Sequence, residues 1–150
     1  MSKETVIQFG EGGFLRGFVD YFLQKMKDQG LFDGSVVVVQ PIERGMCEML
    51  EKQNCEYNLF LRGVEEGKVV DEHTHISVIS RCINPYVDCE GYMALAENPD
   101  LRFIVSNTTE AGIEFVADNK FEDCPAKTFP GKLTQLLYKR FRLGRKGFIV

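Results

Sequence analysis

Val6-Ile7-Gln8-Phe9-Gly10-Glu11-Gly12-Gly13-Phe14-Leu15-Arg16-Gly17 is the stretch on which the fold turns. A short apolar run, opening at Thr5, stops abruptly at Gly10. Beyond it Phe14, Leu15, Phe18, Phe22 and Met26 recur at spacings of three and four, which predicts one helix from Phe14 to Met26. Phe14, Phe18 and Phe22 are expected to pack that helix onto a sheet. Gly30 is placed to stop the helix, and Asp33-Gly34 makes a turn. Ser35-Val36-Val37-Val38-Val39 follows, and its four valines without polar alternation predict a strand covered on both faces. The first 40 residues therefore read strand, glycine turn, helix, strand: one βαβ unit.

That turn carries the first chemistry. A dinucleotide pyrophosphate needs a tight turn, a side-chain-free approach to backbone N–H groups, and a helix N-terminus aimed at it. Gly10 and Gly12 suit the first two roles. The third glycine of GxGxxG falls at Leu15, and the next glycine is Gly17. Strand two should end in an acid that holds the adenosine ribose, and here stands Gln40. A glutamine hydrogen-bonds a hydroxyl but does not repel a 2′-phosphate, so the residues leave NAD and NADP undecided.

Further along, Met46 to Gln53 allows a short helix. Tyr57 to Arg62 and Lys68 to Ser80 are strand-like and flank Gly63 to Gly67, which predicts a hairpin. Asn84-Pro85 breaks the chain, and Tyr92 to Glu97 predicts a short helix. Leu101 to Val105 is a second buried-type strand that runs into Ser106-Asn107-Thr108-Thr109-Glu110-Ala111-Gly112. A polar loop leads to a last helix near Pro130, with Leu133, Leu136, Leu137 and Phe141 on one face. The chain closes on Gly147-Phe148-Ile149-Val150, read as a strand just beginning.

The 150 residues and 17.1 kDa suit one domain. An apolar content of 44% with 27% charge excludes a disordered tail. No apolar run approaches the roughly 18 to 20 residues of a membrane span. No export signal is evident, and a net charge of −4 argues against a nucleic-acid surface. Five cysteines without a CxxC fit neither a disulfide framework nor a zinc site, so reduced thiols in a cytoplasmic protein are expected. Asp71, His73 and His75 share a strand face, but a solvated polar face is the simpler reading and no metal is expected. Lys139, Arg140, Arg142, Arg145 and Lys146 are read as complementing a helix C-terminus. Thr108, Thr109 and Glu110 also fit a helix cap.

Residues Ile7 to Asp20 closely resemble the opening of the mannitol dehydrogenase-like family of long-chain polyol dehydrogenases, whose turn is GxGxFxRG. The resemblance extends to Val36 to Ile42 (VVVVQPI), Ser106 to Ile113 (SNTTEAGI) and Phe129 to Phe141 (FPGKLTQLLYKRF). Gln40-Pro41 resembles the tagaturonate reductase (altronate oxidoreductase) branch, so the missing acid does not count against NAD. The resemblance implies a Rossmann-like α/β fold: a doubly wound, mainly parallel sheet with an inserted antiparallel hairpin. It further implies an NAD-dependent oxidoreductase of CH–OH groups that moves a hydride between NADH and a hexuronate ketone in galacturonate breakdown.

By the same resemblance Val6, Ile7, Gln8, Phe9, Gly10, Glu11, Gly12, Gly13, Phe14, Leu15, Arg16 and Gly17 would wrap the pyrophosphate. Gln40 would lie near the adenosine, and Asn107, Thr108, Thr109 and Glu110 along the cofactor. The family's lysine, asparagine and histidine belong to motifs outside these residues. Residues 1–150 are thus expected to be the N-terminal cofactor domain of a longer enzyme, with no catalytic residue and no turnover. The dinucleotide is its expected partner, and a sugar acid only with the remaining domain. Another polyol dehydrogenase of the family, a non-catalytic dinucleotide module and an S-adenosylmethionine-binding methyltransferase domain are the alternatives.

Overall fold

The structure is a computed structural model that describes residues 3–145, 147 and 149–150. Strand β1 (Glu4–Phe9) enters the glycine turn. The helix after it is broken in two, α1 (Gly13–Gly17) and α2 (Val19–Asp28), which corrects the single helix expected from Phe14 to Met26. Gly17, a weak helix former, ends α1, and Phe18 departs from helical geometry at ψ −69° and φ −118°. Gly30 closes α2 as expected, at φ +72°, with Leu31 N–H on the Met26 carbonyl at 2.8 Å.

Strand β2 (Ser35–Val39) lies parallel to β1, Ile7 beside Val37 and Phe9 beside Val39. After α3 (Cys47–Lys52) the chain makes an antiparallel hairpin from β3 (Tyr57–Glu65) and β4 (Lys68–Ile76). Strand β5 (Ile79–Ile83) then joins the main sheet parallel to β2. The run expected from Lys68 to Ser80 is therefore two strands in two sheets. The hairpin turn also falls later than expected, at Glu66-Gly67. Helix α4 (Cys89–Ala94) begins before Tyr92 because Asp88 caps it, accepting from Gly91 N–H at 2.8 Å. Strand β6 (Phe103–Ser106) returns to the free edge of β1, and α5 (Phe129–Arg142) completes the second layer.

The main sheet is parallel throughout, in the order β5-β2-β1-β6. The mainly parallel sheet with an antiparallel pair stands as expected. Val6, Val36 and Val38 face α3 and the hairpin, together with Leu50, Ile76 and Val78. Ile7, Phe9, Val37 and Val39 face α4 and α5, meeting Tyr92, Leu95 and Leu136. Both faces are covered, which is why the valines do not alternate with polar residues. Val150 donates to the Arg102 carbonyl (3.0 Å) and accepts from Ile104 N–H (2.8 Å), so it stands beside β6. Phe148, where that strand was expected to begin, lies outside the described residues.

Helix α2 turns a different face inward from the one expected, and α5 does so in part, since Leu136 is buried and Leu133 packs on the core as expected. Phe14, Phe18 and Phe22 are 60%, 51% and 49% exposed and pack on one another. Helix α2 instead buries Asp20 and Gln24. Helix α5 buries Lys132, Gln135, Leu136 and Arg140 and leaves Phe141 exposed. These inward polar groups are hydrogen-bonded, which offsets their desolvation. Gln24 Oε1 accepts from Ser77 N–H (2.8 Å), and Arg140 donates to the carbonyl of Asn98 (2.6 Å).

The thiols also depart from expectation. Cys89 and Cys124, 35 residues apart, form a disulfide with a Cα–Cα separation of 5.7 Å, while Cys47, Cys55 and Cys82 are free and buried. Sequence spacing does not show which residues the fold brings within bonding reach. On the hairpin, Asp71 pairs with Arg62, and His73 and His75 bond Asn58 and Glu56 in the open. Among the described residues there is no metal-binding cluster of histidine, cysteine and acidic residues. None of their helices is long and apolar enough to cross a membrane. Of the basic run, Lys139 pairs with Glu97, Arg140 is buried, and Lys146 lies outside the described residues.

Candidate functional site

A crevice of about 400 Å³ opens at the carboxyl ends of β1, β2 and β6. Open α/β sheets bind ligands at the point where strand order reverses, and here that point is β1, flanked by β2 and β6. Phe9, Gly10, Gly12, Phe14 and Leu15 form its floor. Pro41 and Ile42 form one wall, Asn107 to Thr109 with Ala111 and Gly112 another, and Lys127 to Phe129 close the third side.

Each floor glycine has its own physical reason. Gly10 holds φ +126°, a conformation that L side chains avoid, and its N–H bonds the Val39 carbonyl at 3.0 Å. Gly12 has an ordinary backbone, φ −70°. Among the described residues, a Cβ there would meet no atom within 4 Å beyond its chain neighbours. The fold itself would accept a side chain at Gly12, and the space it would fill adjoins the crevice.

The residues singled out in the sequence divide into lining and supporting groups. Val6, Ile7 and Gln8 are buried in the sheet and position the turn. Glu11 accepts from Met46 N–H (3.1 Å) and ties the turn to the chain after β2. Gly13 opens α1, Gly17 approaches Leu59, and Arg16 lies over the Tyr57 ring at 5.4 Å. Gln40 is buried; its Nε2 donates to the carbonyls of Ile42 (2.9 Å) and Glu43 (3.0 Å). Its Oε1 accepts from Cys47 N–H (3.3 Å), so Gln40 shapes the Pro41-Ile42 wall from behind. Asn107, Thr108 and Thr109 line the crevice, and Glu110 begins a 3₁₀ turn, Glu110–Ile113, behind them. Thr109 precedes that turn without a side-chain cap bond.

Sequence reasoning missed Pro41, Ile42 and the Lys127 to Phe129 wall. The first two follow directly on the carboxyl end of β2, so the strand-end rule would have found them. The third is held by Thr128, which accepts from Gly131 N–H (3.2 Å) to cap α5. Behind it the buried Lys132 ammonium donates to Tyr86 Oη (3.0 Å) and to the Lys127 carbonyl (3.2 Å). Burial pushes its pKa down to about 8.

A polar group also lies under the turn. Asp20 is fully buried, and burial pushes its carboxyl up to about 6, against the hydrogen bonds from Gln8 and Tyr57 and the Arg16 charge. Burial likewise raises the Tyr57 hydroxyl, helped by the neighbouring Asp20. Since the folded value of Asp20 exceeds that of an unfolded aspartate, about 3.9, its contribution to stability is lost as pH rises through about 6. Asp20→Asn is therefore expected to gain on wild type by about 2 kcal/mol between about pH 4 and about pH 8. Urea unfolding of both proteins at the two pH values checks this; a constant difference would refute it.

Comparison with known proteins agrees with this geometry. Residues 4–150 match the mannitol dehydrogenase Rossmann domain. An altronate oxidoreductase from Phocaeicola vulgatus is 54% identical over 139 residues, 93% of this chain and 29% of that protein. One from Bacillus subtilis is 48% identical over the same length, again 93% of this chain and 29% of that protein. The chain thus spans under a third of the length of these relatives. Among solved structures, the Pseudomonas fluorescens mannitol 2-dehydrogenase in ternary complex with NAD and D-mannitol superposes with a TM-score of 0.81. It is 20% identical, and the match covers 99% of this chain and 33% of that one. A D-sorbitol dehydrogenase in substrate-free form gives a TM-score of 0.77 at 19% identity, covering 99% of this chain and 34% of that one.

Proposed function

The chain belongs to the mannitol dehydrogenase family, and from that premise we propose that residues 1–150 form its NAD-binding domain. The observation that carries this reading is the unfilled space over Gly12 in a crevice at the carboxyl ends of the strands. A pyrophosphate fits there, against backbone N–H groups that the first turn of α1 leaves without intrahelical partners. The adenosine runs along Pro41 and Ile42, and the nicotinamide half along Asn107, Thr108 and Thr109. Phe9, Phe14 and Phe129 exclude water from the bound cofactor. NADH, when bound, supplies a hydride to a ketone carbon; this chain's residues bind and orient it.

The longer protein is proposed to reduce D-tagaturonate to D-altronate, or run the reverse. The altronate oxidoreductase relatives, 41–54% identical, support that substrate class. Its proton chemistry is assigned to residues outside these 150, so none here is named catalytic. Fluorescence titration of the purified chain is expected to show saturable NADH binding and none of S-adenosylmethionine. Mixed with NADH and tagaturonate, it is expected to leave NADH absorbance unchanged. Absence of NADH binding would defeat the cofactor reading, and sustained enzyme-dependent oxidation would defeat the assignment of catalysis elsewhere.

A further inference from the structure

Among the described residues, four buried side-chain polar atoms lack a hydrogen-bond partner, and three of them cluster around the glycine turn: Gln8 Oε1, Arg16 Nε and Asp20 Oδ1. Unsatisfied buried groups are uncommon in folded proteins, and a concentration of them calls for a cause. The same residues clamp the turn. Gln8 Nε2 donates to the Gly10 carbonyl (3.0 Å) at its start, and Tyr57 Oη donates to the Arg16 carbonyl (2.7 Å) at its end. Both side chains also reach Asp20 Oδ2, at 3.4 Å and 3.2 Å. One carboxyl group stands where the two clamps meet.

Its two protonation states differ in the hydrogen bonds they allow. The Gln8 amide has two protons and serves both of its acceptors. The Tyr57 hydroxyl has one proton and faces two oxygens. With Asp20 ionised, its carboxylate and the Arg16 carbonyl compete for that proton. With Asp20 protonated, its own O–H donates to Tyr57 Oη, and the tyrosine proton is free for Arg16. All the clamp contacts then hold together.

We propose that Asp20 is a proton-linked positioning residue for the dinucleotide turn: seating the pyrophosphate draws a proton from solvent onto Asp20, which leaves the Tyr57 proton free to hold the Arg16 carbonyl. This rests on the NAD reading above. Gln8 faces Asp20 from β1, Tyr57 from β3 and Arg16 from α1. Next to β4, Ser77 N–H goes to Gln24 instead. Among the described residues the Arg16 guanidinium is the one cation that favours ionised Asp20. A pyrophosphate over the turn brings negative charge towards Arg16 and offsets that influence, so the protonated form gains. Binding therefore takes up protons, and affinity falls as pH rises above about 6.

NADH titrations of wild type and Asp20→Asn from about pH 5.5 to about pH 8 test this. Wild type is expected to lose affinity on the order of five- to tenfold across that range, and Asp20→Asn less than about twofold. A purely structural Asp20 would weaken binding equally at every pH, and parallel slopes overturn the proposal while leaving NAD binding standing. No saturable binding of wild type at any pH overturns the NAD reading and this inference with it. Calorimetry on wild type alone, near pH 6.5 in two buffers of different ionisation enthalpy, needs no variant. Uptake of part of a proton per NADH supports the proposal, and zero uptake overturns it.

Discussion

Gly12→Val is expected to weaken NADH binding by about a hundredfold, close to 3 kcal/mol, while unfolding at the wild-type urea concentration. The two halves of this expectation have separate causes. Among the described residues, none beyond its chain neighbours lies within 4 Å of a Cβ at Gly12, and its φ of −70° suits any L residue, so the native state is not strained. The isopropyl group instead occupies the approach a pyrophosphate needs to reach backbone N–H groups. Gly10→Ala would mix the two effects, because φ +126° and Leu15 Cδ1 at 3.1 Å strain the fold as well. Gly63, also open to substitution but on the hairpin, is the matched control. Fluorescence titration beside urea unfolding reads both quantities, and binding within threefold of wild type would show that Gly12 is not a ligand contact.

Reduction of Cys89–Cys124 is expected to be the costliest single change to stability. Closing a loop over a separation of 35 residues removes unfolded-chain entropy worth up to about 4 kcal/mol. In a chain of 150 residues that corresponds to a fall in Tm of about 10 °C. Denaturation with and without dithiothreitol measures it, with Cys89→Ser/Cys124→Ser as the variant that reductant should leave unchanged. Thiol titration in denaturant without reductant should find three groups, Cys47, Cys55 and Cys82. Five would show that the bond does not form. The position of the bond matters too: Cys124 lies in the chain leading to the Lys127 to Phe129 wall, and Cys89 opens α4.

How much of this was legible depended on the range of the cause. The βαβ opening was readable because a strand covered on both faces needs an unbroken valine run, and Val36 to Val39 are all fully buried. Gly10 was readable because the positive φ it holds is a local demand of the backbone. The split between Ile76 and Ile79 was not, since both sides of it are β-forming and only the partner strand differs. Nor was the inward face of α2. Periodicity marks a stripe of phenylalanines, but Gln8, Tyr57 and Ser77, which draw Asp20 and Gln24 inward, come from elsewhere in the chain. Gln40 was expected near the adenosine, and its bonds to the chain after β2 were not legible, because Ile42, Glu43 and Cys47 reach it only once that chain folds back.

A helix seated by interlocking methyl groups can roll by a fraction of a turn and repack at small cost. Helix α2 is keyed to its neighbours by donors and acceptors, Asp20 towards Gln8 and Tyr57 and Gln24 to Ser77, and a roll would strand every one of them. Its azimuth is therefore fixed by directional bonds as well as by the packing of Tyr21 and Leu23 on the core. The outward ladder of Phe14, Phe18 and Phe22 inherits that precision, standing at set spacing and set angle in water.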